Sequence, residues 1–413
     1  MIKPIVSRLF QVPNSHKLEI ARSYGRYDSL KILFSKSPEE ITRMVCQSGL
    51  RGKGGGGAPT GDKWKIMPSP KPGIPHYLAI NADESEPGTF KDRQILEKDP
   101  HLLIEGIIAS SYALHVKHAY IYIRGEYHFP AQRVQEAINE AYEAGIIGPK
   151  SEFKLDITLH RGAGAYICGE KSALLESLEG KRGHPRLKPH GKEPEWLFEA
   201  PTVVNNVETI ASVPFIIQEG PDAYRSYGTK DSPGTMLFGL SGHIKNPGIY
   251  ELPYGVNMLQ FIQEIGGGVR DNKELKAVVP GGSSCSILKA DIIHKVTLDY
   301  ESLKRNGSTL GTGGMIIMDE SVSIPKAMKN LLEFYHHESC GQCTPCREGT
   351  GWMDRILAKV LNGNGTKEDI QLLLEISNTM NGKTICVFAP AVATMAISYI
   401  QAFPEEFYVL CAK

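Results

Sequence analysis

The chain has 413 residues, 41% of them hydrophobic and 22% charged, which is an ordinary globular composition and argues against global disorder. This length exceeds one typical core, so we expect two to four domains. The 46 basic and 46 acidic side chains cancel, so no overall field favours nucleic acid or an anionic membrane surface.

The N-terminus lacks the apolar run and the small-residue cleavage site of a secretory signal. Predicted helices such as 102–114 are too short and interrupted to cross a bilayer, which takes about 20 apolar residues. We therefore expect a cytoplasmic protein that does not bind nucleic acid, with membrane contact only through partners.

In chain order, the first predicted element is an irregular lead-in at 1–36. The sequence SPEE at 37–40 is a helix start, with Ser as N-cap, Pro at the first helical position and Glu closing a capping box. That helix should end at Gly49. The segment 51–61 carries too many glycines for a regular helix or strand.

Strands and helices then alternate along the chain. Strands are predicted at 76–82, 118–124 and 154–160, and helices at 100–114, 130–144 and 170–178. Single helices between strands imply right-handed crossovers and a parallel sheet. We therefore expect an α/β domain.

After a linker-like shift in composition near 225–235, a different order of elements follows. Two short strands are joined by KNPG at 245–248, a helix is predicted at 257–265, and strands near 275–280 and 314–318. This order suggests a small β-grasp-like module, and from 321 onward the pattern is helical. The predicted domains are 1–62 (lead-in, helix and glycine-rich loop), 63–228 (α/β), 229–320 (β-grasp-like) and 321–413 (helical).

Four of the eight cysteines form a pattern: Cys340, Cys343 and Cys346 stand at two-residue gaps, and Cys386 follows 40 positions later. Soft thiolates in a tight turn can hold three corners of an iron–sulfur cube while a remote thiolate closes the fourth. Zinc is the alternative, but structural zinc sites usually pair two C-x-x-C knuckles. We predict a [4Fe–4S] cluster. The isolated cysteines at 46, 168, 285 and 411 are interpreted as small buried hydrophobes.

The first glycine loop, RGKGGGGAPTG at 51–61, formally contains G-x-G-x-x-G. It follows a helix and not a strand, which weakens a dinucleotide interpretation. Its successive backbone N–H groups can still cradle phosphate, with Arg51, Lys53 and Lys63 supplying charge. A flexible surface loop is the alternative, and both interpretations stay open.

Two further segments come directly after predicted strands. RGAGAYICGE at 161–170 leads into a helix, and NADESEPG at 81–88 follows the first strand. Ligands of open α/β sheets bind at the carboxyl ends of strands, and helix N-termini favour phosphate. Three carboxylates in four residues repel one another unless solvated or given partners. We favour a ligand-binding turn over a merely solvated one.

Taken together, five blocks resemble the NADH- and FMN-binding F-type subunit of respiratory complex I and the related diaphorase subunits of NAD-linked hydrogenases and formate dehydrogenases. The resemblance covers about 37–408. The blocks are RGKGGGGAPTGDKW at 51–64, NADESEPGTFKDR at 81–93, RGAGAYICGE at 161–170, PTVVNNVET at 201–209 and ESCGQCTPCR at 338–347.

The resemblance implies a Rossmann-like FMN domain, a β-grasp (ubiquitin-like, SLBB) domain and a helical domain that carries the cluster. It implies FMN contacts from Gly52, Gly54, Gly55, Lys63, Asn81, Asp83, Ser85, Tyr166, Gly169, Glu170, Asn205, Asn206 and Thr209. It also implies that Glu84, Glu86, Lys171 and Lys188 lie near the nucleotide, with the two glutamates beside the nicotinamide and flavin. No catalytic residue beyond FMN itself is implied.

By the same resemblance, Cys340, Cys343, Cys346 and Cys386 hold the [4Fe–4S] cluster. Flavin accepts hydride from NADH or NADPH and passes electrons on singly. The implied partners are a small [2Fe–2S] subunit of E type and a large iron–sulfur subunit of G type. The complex would lie peripherally on the inner face of the cell membrane.

Four positions depart from the family pattern. Ala58, Ile66 and Gly191 stand where relatives carry aromatic residues that stack the adenine, and each stack contributes about 0.5–1.5 kcal/mol. Their loss predicts weaker or differently posed nucleotide. Lys171 stands where relatives carry an acidic residue that repels the 2′-phosphate of NADP. A cation at this position accommodates NADP. The alternative is that the Lys171 side chain turns to solvent.

Other functions remain as alternatives. The chain could be an electron relay or scaffold fed by another subunit, a zinc-stapled binding protein, or a diaphorase subunit of a hydrogenase or formate dehydrogenase. The retained Lys63, Asn81, Asp83, Tyr166 and Glu170 favour a flavin site over the first two.

Overall fold

The computed structural model describes residues 3–187 and 195–411. The predicted lead-in is more regular than expected, because it contains two short helices before the predicted one. Buried side chains such as Val6 and Leu33 pack into the same core as the first sheet, so tertiary packing stabilises helices too short to stand alone. The first helices are α1 (Leu18–Ser23), α2 (Ser29–Phe34), α3 (Pro38–Ser48) and α4 (Thr60–Lys65).

Helix α3 is the predicted one. The Ser37 hydroxyl accepts from the Glu40 N–H at 3.2 Å, and the Glu40 carboxylate accepts from the Ser37 N–H at 2.8 Å. Gly49 ends the helix in the left-handed region, with φ of 69°. Both ends of the helix are therefore capped in the way that the sequence SPEE and the terminal glycine predict.

The first sheet has five strands, in the order β3-β2-β1-β5-β4. Strands β1, β2, β3 and β5 run parallel, and the edge strand β4 is antiparallel to β5. The predicted parallel sheet is confirmed, and the last two strands are additions that the sequence pattern did not reveal. The strands are β1 (Tyr77–Ala82), β2 (His118–Ile123), β3 (Asp156–Arg161), β4 (Glu195–Leu197) and β5 (Ala200–Asn206).

Helices cover this sheet. Helix α6 is almost wholly buried, and Gly106 lets it approach α9 closely, because a Cβ there would strike the Ile210 carbonyl group. The helices are α5 (Lys91–Lys98), α6 (Pro100–Ala113), α7 (His128–Glu143), α8 (Lys171–Leu178), α9 (Val207–Ala211), α10 (Val213–Glu219) and α11 (Pro221–Arg225).

The second sheet has the order β7-β6-β10-β8-β9. Strand β10 is parallel to β6, and the remaining pairs are antiparallel. The strand pair, helix, strand pair order is the one predicted for a β-grasp module. Its elements are β6 (Thr235–Gly242), β7 (Gly248–Pro253), β8 (Leu275–Val279), β9 (Leu288–Lys289), β10 (Gly314–Asp319), α12 (Met258–Gln260, continued by a π-helical turn at Phe261–Ile265) and α13 (Tyr300–Arg305).

The C-terminal part is helical, as predicted. Its core is continuous with side chains from α8 and from one face of the first sheet, so the helices pack directly on the α/β region. Within the described ranges, none of the helices combines the length and apolar character needed to span a bilayer. The helices are α14 (Ile324–Glu338), α15 (Thr344–Leu361), α16 (Lys367–Met380), α17 (Phe388–Ala402) and α18 (Pro404–Tyr408).

We keep the boundaries at 62/63, 228/229 and 320/321 as a proposal. The strands of the first sheet fall between residues 77 and 206 and those of the second between 235 and 319. The N-terminal helices share the core of the first sheet, so they belong to it physically.

Candidate flavin site and cysteine cluster

The central feature of the first sheet is a reversal of strand order at β1. The chain proceeds from β1 to β2 and β3 on one side, whereas β5 pairs with β1 on the other side. Such a reversal opens a crevice beyond the carboxyl ends of the two central strands, where open α/β sheets bind ligands. Asn81 lies opposite Asn206 and Ile80 opposite Asn205 at these ends, so two predicted site segments meet there.

The first glycine loop lies against this crevice. The Gly52 N–H donates to the Ala58 carbonyl at 2.8 Å and closes the loop. The Lys53 N–H donates to Thr209 Oγ1 at 2.9 Å, which ties the loop to α9. A Cβ at Gly54 would lie 3.2 Å from the Asn206 side chain, so glycine keeps open a space that any larger residue would fill.

Helix α4 extends the glycine loop along strand β5. The Lys63 ammonium donates to the Val204 carbonyl, and Trp64 Nε1 donates to Asn205 Oδ1 at 3.1 Å. Trp64 is buried, so it anchors the helix and holds Lys63 at the sheet edge. The sequence did not predict this helix, because it is a short turn directly after a glycine-rich segment.

The acidic turn after β1 provides an unsatisfied carboxylate oxygen. Ser85 donates to Asp83 Oδ1 at 3.0 Å, but Asp83 Oδ2 is buried without a hydrogen-bond partner in the described part of the chain. Burial raises the pKa of Asp83 to about 7. A buried polar atom normally has a partner, so this oxygen fits a site that accepts a polar ligand.

Two contacts join the acidic turn to the second glycine loop. Asn81 Nδ2 donates to the Gly169 carbonyl at 2.9 Å, and a Cβ at Gly169 would stand 3.5 Å from Asp83 Oδ2. The glycine therefore leaves space beside the unsatisfied oxygen. Gly54 likewise leaves space beside Asn206, so each glycine loop offers close backbone approach to a ligand.

Glu84 and Glu86 take different positions. Glu84 is buried and accepts from the Asp92 N–H at 2.8 Å, the Arg93 N–H at 3.0 Å and Tyr127 at 2.9 Å, so its carboxylate holds the start of α5. Glu86 accepts from Tyr166 Oη at 2.6 Å. Burial raises the pKa of Tyr166 well above its usual range, which keeps this hydroxyl a neutral donor.

The second glycine loop leads into α8. Glu170 caps this helix by accepting from the Ser172 and Ala173 N–H groups at 2.9 and 3.0 Å. Lys171 is its first residue and its side chain is exposed. Ile66 is 58% exposed, and Ala58 is exposed as well. Lys188 and Gly191 lie outside the described residues.

A buried charge network beneath the glycine loop was missed by sequence reasoning. Glu208 bridges Lys53 at 3.2 Å and Lys91 at 2.9 Å, and Lys91 also contacts Asp92 at 2.7 Å. Although burial opposes it, Lys91 and Lys53 lower the pKa of Glu208. The signal available in the sequence was a lysine set among glycines, but its partners are distant in the chain.

The four predicted cluster cysteines are brought together at one end of the helical region. Cys346 is buried in α15, and Cys340, Cys343 and Cys386 pack partly buried on the same core. Burial, together with the charge of neighbouring thiols, raises the pKa of Cys346 to about 12 and that of Cys386 to about 11. Bound iron would lower these thiol pKa values, since a coordinating thiol is deprotonated.

The identity of the four donors bears on the kind of metal. Three of the thiols come from the segment 340–346, and the fourth, Cys386, comes from a distant part of the chain. Structural zinc sites usually pair two C-x-x-C knuckles, whereas the irons of a cubane each bind a different thiolate. This all-thiolate, three-plus-one donor set fits an iron–sulfur cluster.

The crevice and the cysteines are neighbours. The Tyr166 N–H donates to Glu338 at 2.9 Å, two residues before Cys340. The Tyr166 ring contacts Phe334 and Phe388 edge-on, with ring centroids 5.3 and 5.6 Å apart. One loop thus touches both the residues around the crevice and the helices that carry the cysteines.

Comparison with family models agrees with this arrangement. Residues 45–215 match the Nuo51 FMN-binding domain, residues 237–316 match the SLBB domain, and residues 326–409 match the iron–sulfur binding region of NADH-ubiquinone oxidoreductase F. The three matches coincide with the first sheet, the second sheet and the C-terminal helices. The predicted fold class is confirmed.

Similar proteins extend over nearly the whole chain. The F subunit of the NADH-quinone oxidoreductase of Rickettsia bellii is 48% identical over 396 residues, covering 95% of both chains. The F subunit of the Mycobacterium tuberculosis enzyme is 45% identical over 415 residues, covering 98% of this chain and 93% of its own.

Among solved structures, an air-oxidised NAD+-reducing [NiFe]-hydrogenase matches with a TM-score of 0.85 and 31% identity, over 100% of this chain and 67% of the hydrogenase chain. It is a related protein, as the resemblance to diaphorase subunits implied. The chain belongs to the family of NADH-quinone oxidoreductase F subunits.

Proposed function

We propose that this chain is the electron-input subunit of a complex I-type NADH-quinone oxidoreductase, oxidising NADH at FMN and passing electrons to its own [4Fe–4S] cluster. FMN, when bound, supplies the chemistry that converts a two-electron hydride transfer into single-electron steps. The observation that carries the proposal is the loop 161–170, which touches both the crevice and the helices bearing the four cysteines.

The residues that would hold FMN come from four segments around the crevice. The glycine loop offers backbone N–H groups and close approach, and Lys63 offers positive charge at the sheet edge. Asp83 offers an oxygen that has no other partner in the described chain. The proposed set is Gly52, Gly54, Gly55, Lys63, Asn81, Asp83, Ser85, Tyr166, Gly169, Glu170, Asn205, Asn206 and Thr209.

The nucleotide would lie beside the acidic turn, near Glu84, Glu86 and Lys171. Lys188, which lies outside the described residues, completes the proposed set by resemblance to the family. Glu84 would act from beneath the turn, because its carboxylate is engaged with α5. Lys171 is exposed at the start of α8, where relatives carry an acid. We infer that it relaxes the discrimination against NADPH.

A stopped-flow experiment tests the donor. The anaerobic complex is mixed with NADH or NADPH while flavin absorbance is followed. NADH should bleach the flavin, NADPH should do so measurably, and Lys171→Glu should slow the NADPH reaction by about tenfold or more with little change for NADH. Strong NADH selectivity in the wild type would contradict the role given to Lys171, and a flavin that neither donor bleaches would contradict the function itself.

The family operates in multi-subunit complexes, so this chain works with partners. We propose a small [2Fe–2S] subunit of E type and a large iron–sulfur subunit of G type, with the assembly on the inner face of the cell membrane. The hydrogenase match supports a diaphorase role as the second candidate. Subunits that copurify with the native chain distinguish the two, because only the second predicts a nickel-containing partner.

A further inference from the structure

The SLBB region packs tightly against the acidic turn of the flavin site. The Ser283 N–H donates to the Pro87 carbonyl at 3.1 Å, and Thr312 and Thr89 are joined through their hydroxyls. Gly282 has a φ of 98°, and a Cβ there would lie 2.5 Å from Glu86 Cγ. The backbone of the loop 281–284 therefore sits directly on the Glu86 side chain.

Glu86 itself is held by donors from two different regions. Its Oε1 accepts from the Ser284 N–H at 2.7 Å and from Ser283 Oγ at 3.2 Å, both from the SLBB region. Its Oε2 accepts from Tyr166 Oη at 2.6 Å, from the second glycine loop. Three donors around one carboxylate fix its position.

A second link continues from Ser283 to the cluster helices. Ser283 and the hydroxyl of Tyr335 are 2.6 Å apart, and Tyr335 lies buried in α14. Its ring contacts Tyr166 and Phe388 edge-on. Ser283 is thus connected at once to the acidic turn and to the helix that precedes the cysteines.

The opposite wall of the crevice is supported by the same region. Tyr300 donates to the Gly52 carbonyl at 3.1 Å, and the Arg51 guanidinium lies 3.8 Å above the Tyr300 ring. Arg51 also pairs with Glu301 at 2.6 Å. Helix α13 therefore buttresses the glycine loop, as the loop 281–284 buttresses the acidic turn.

We propose that the SLBB region is a positioning module for the electron-donor site, and that Ser283 is its positioning residue, acting through Glu86 on nucleotide binding. This rests on the proposed function, in which Glu86 lies beside the nicotinamide. Without the Ser283 hydroxyl, Glu86 keeps its other two donors but gains freedom, so nucleotide binding weakens while the flavin and the cluster stay in place.

A double-mutant cycle in the purified complex tests this. Ser283→Ala, Glu86→Gln and the double variant are compared with the wild type for NADH oxidation with ferricyanide as acceptor. Ser283→Ala should raise the KM for NADH by about tenfold and change kcat far less, with unchanged FMN content and cluster EPR signal. In the Glu86→Gln background the same substitution should add almost nothing.

Ser286→Ala is the matched control, because it removes a hydroxyl from the same connection between β8 and β9. Within the described ranges Ser286 contributes its carbonyl, which accepts from Ser308 Oγ, and no side-chain hydrogen bond. Should Ser283→Ala fail to assemble, Tyr335→Phe is judged by the same criteria, since it removes the hydroxyl beside Ser283 and keeps the ring. The inference is overturned if Ser283→Ala keeps the wild-type KM for NADH. It is also overturned if Ser283→Ala raises this KM as much in the Glu86→Gln background as in the wild type. A wild-type complex that lacks FMN or does not oxidise NADH would instead overturn the proposed function.

Discussion

Single residues carry the cluster assignment, and Cys386 is the ligand most distant in sequence from the others. Cys386→Ala should remove most of the bound iron and the cluster EPR signal, because three thiolates hold a cubane poorly. FMN should remain, since the crevice is formed by other segments. Iron assay and EPR of the purified protein measure this.

Cys411→Ala is the control for that experiment. Cys411 is partly buried, and its thiol lies 3.6 Å from the Phe407 carbonyl, so its loss should leave iron content unchanged. Equal iron in Cys386→Ala and the wild type would exclude Cys386 as a ligand.

Asp83 gives the flavin-free chain a pH-dependent stability. Burial raises its pKa from 3.8 to about 7, so between these values the folded chain holds a proton that the unfolded chain has lost. The unfolding free energy therefore falls as pH rises through this window, by up to about 4 kcal/mol. Asp83→Asn should remove this contribution, whereas a second contribution of similar size remains from Glu84, whose pKa burial also raises to about 7.

Thermal unfolding at pH 4 and pH 8, followed by tryptophan fluorescence, compares the wild type with the variant. The variant should gain stability at pH 8 and match the wild type near pH 4. A stability difference between the two proteins that does not change with pH would show that the folded chain does not raise the pKa of Asp83.

At the scale of elements, the first glycine loop gives a matched pair of substitutions. Gly54→Val should reduce FMN content by about tenfold or more, because the valine side chain fills the space beside Asn206. Gly56→Ala should retain FMN, since a Cβ there meets nothing within 4 Å. Released flavin is measured by fluorescence after denaturation. Equal losses of FMN in both variants would mean that any substitution in the loop weakens FMN binding, and that the space at Gly54 has no special role.

The elements that sequence patterns predicted are those with local signals. Helix α3 has its capping box and terminal glycine. Strands β1 and β2 are apolar runs between helices, and β3 alternates polar and apolar residues. Strands β4 and β5 were missed because β4 is short and β5, though nearly all buried, ends in two asparagines that suggest a turn. Helix α4 follows a glycine-rich loop and depends on the burial of Trp64.

At the scale of the whole molecule, Glu208 ties three regions together. It pairs with Lys53 of the glycine loop and Lys91 of α5, and it accepts from the Leu237 N–H of β6 at 2.8 Å. Glu208→Gln removes the carboxylate that pairs with both buried lysines. The unfolding free energy should fall by about 3–5 kcal/mol, and FMN should dissociate more readily.

Thermal unfolding and flavin retention check this prediction. Glu264→Gln is the control, because Glu264 is exposed and accepts from Gln260 one turn away. If both glutamine variants melt at the wild-type temperature, the buried network contributes little to the link between the regions.

Sequence motifs predicted which residues have functional chemistry, but not how the regions meet. Four cysteines at characteristic spacing indicated a cluster, and a strand followed by acids indicated a site. The role of Glu86 as a junction depends on Ser283 and Tyr166, which lie far from it in sequence. Ser283 belongs to no motif, and the motif around Tyr166 does not indicate that Tyr166 contacts Glu86. Contacts of this kind follow only from the packed molecule.

If electrons from NADH reach the cluster through flavin within this one chain, the cluster should be reduced only when FMN is bound. EPR of the anaerobically purified complex, frozen shortly after NADH is added, measures this in the wild type and in the FMN-depleted Gly54→Val variant. We expect a reduced [4Fe–4S] signal in the wild type that is nearly absent without FMN. A cluster that NADH does not reduce, or reduces equally well without flavin, would contradict it.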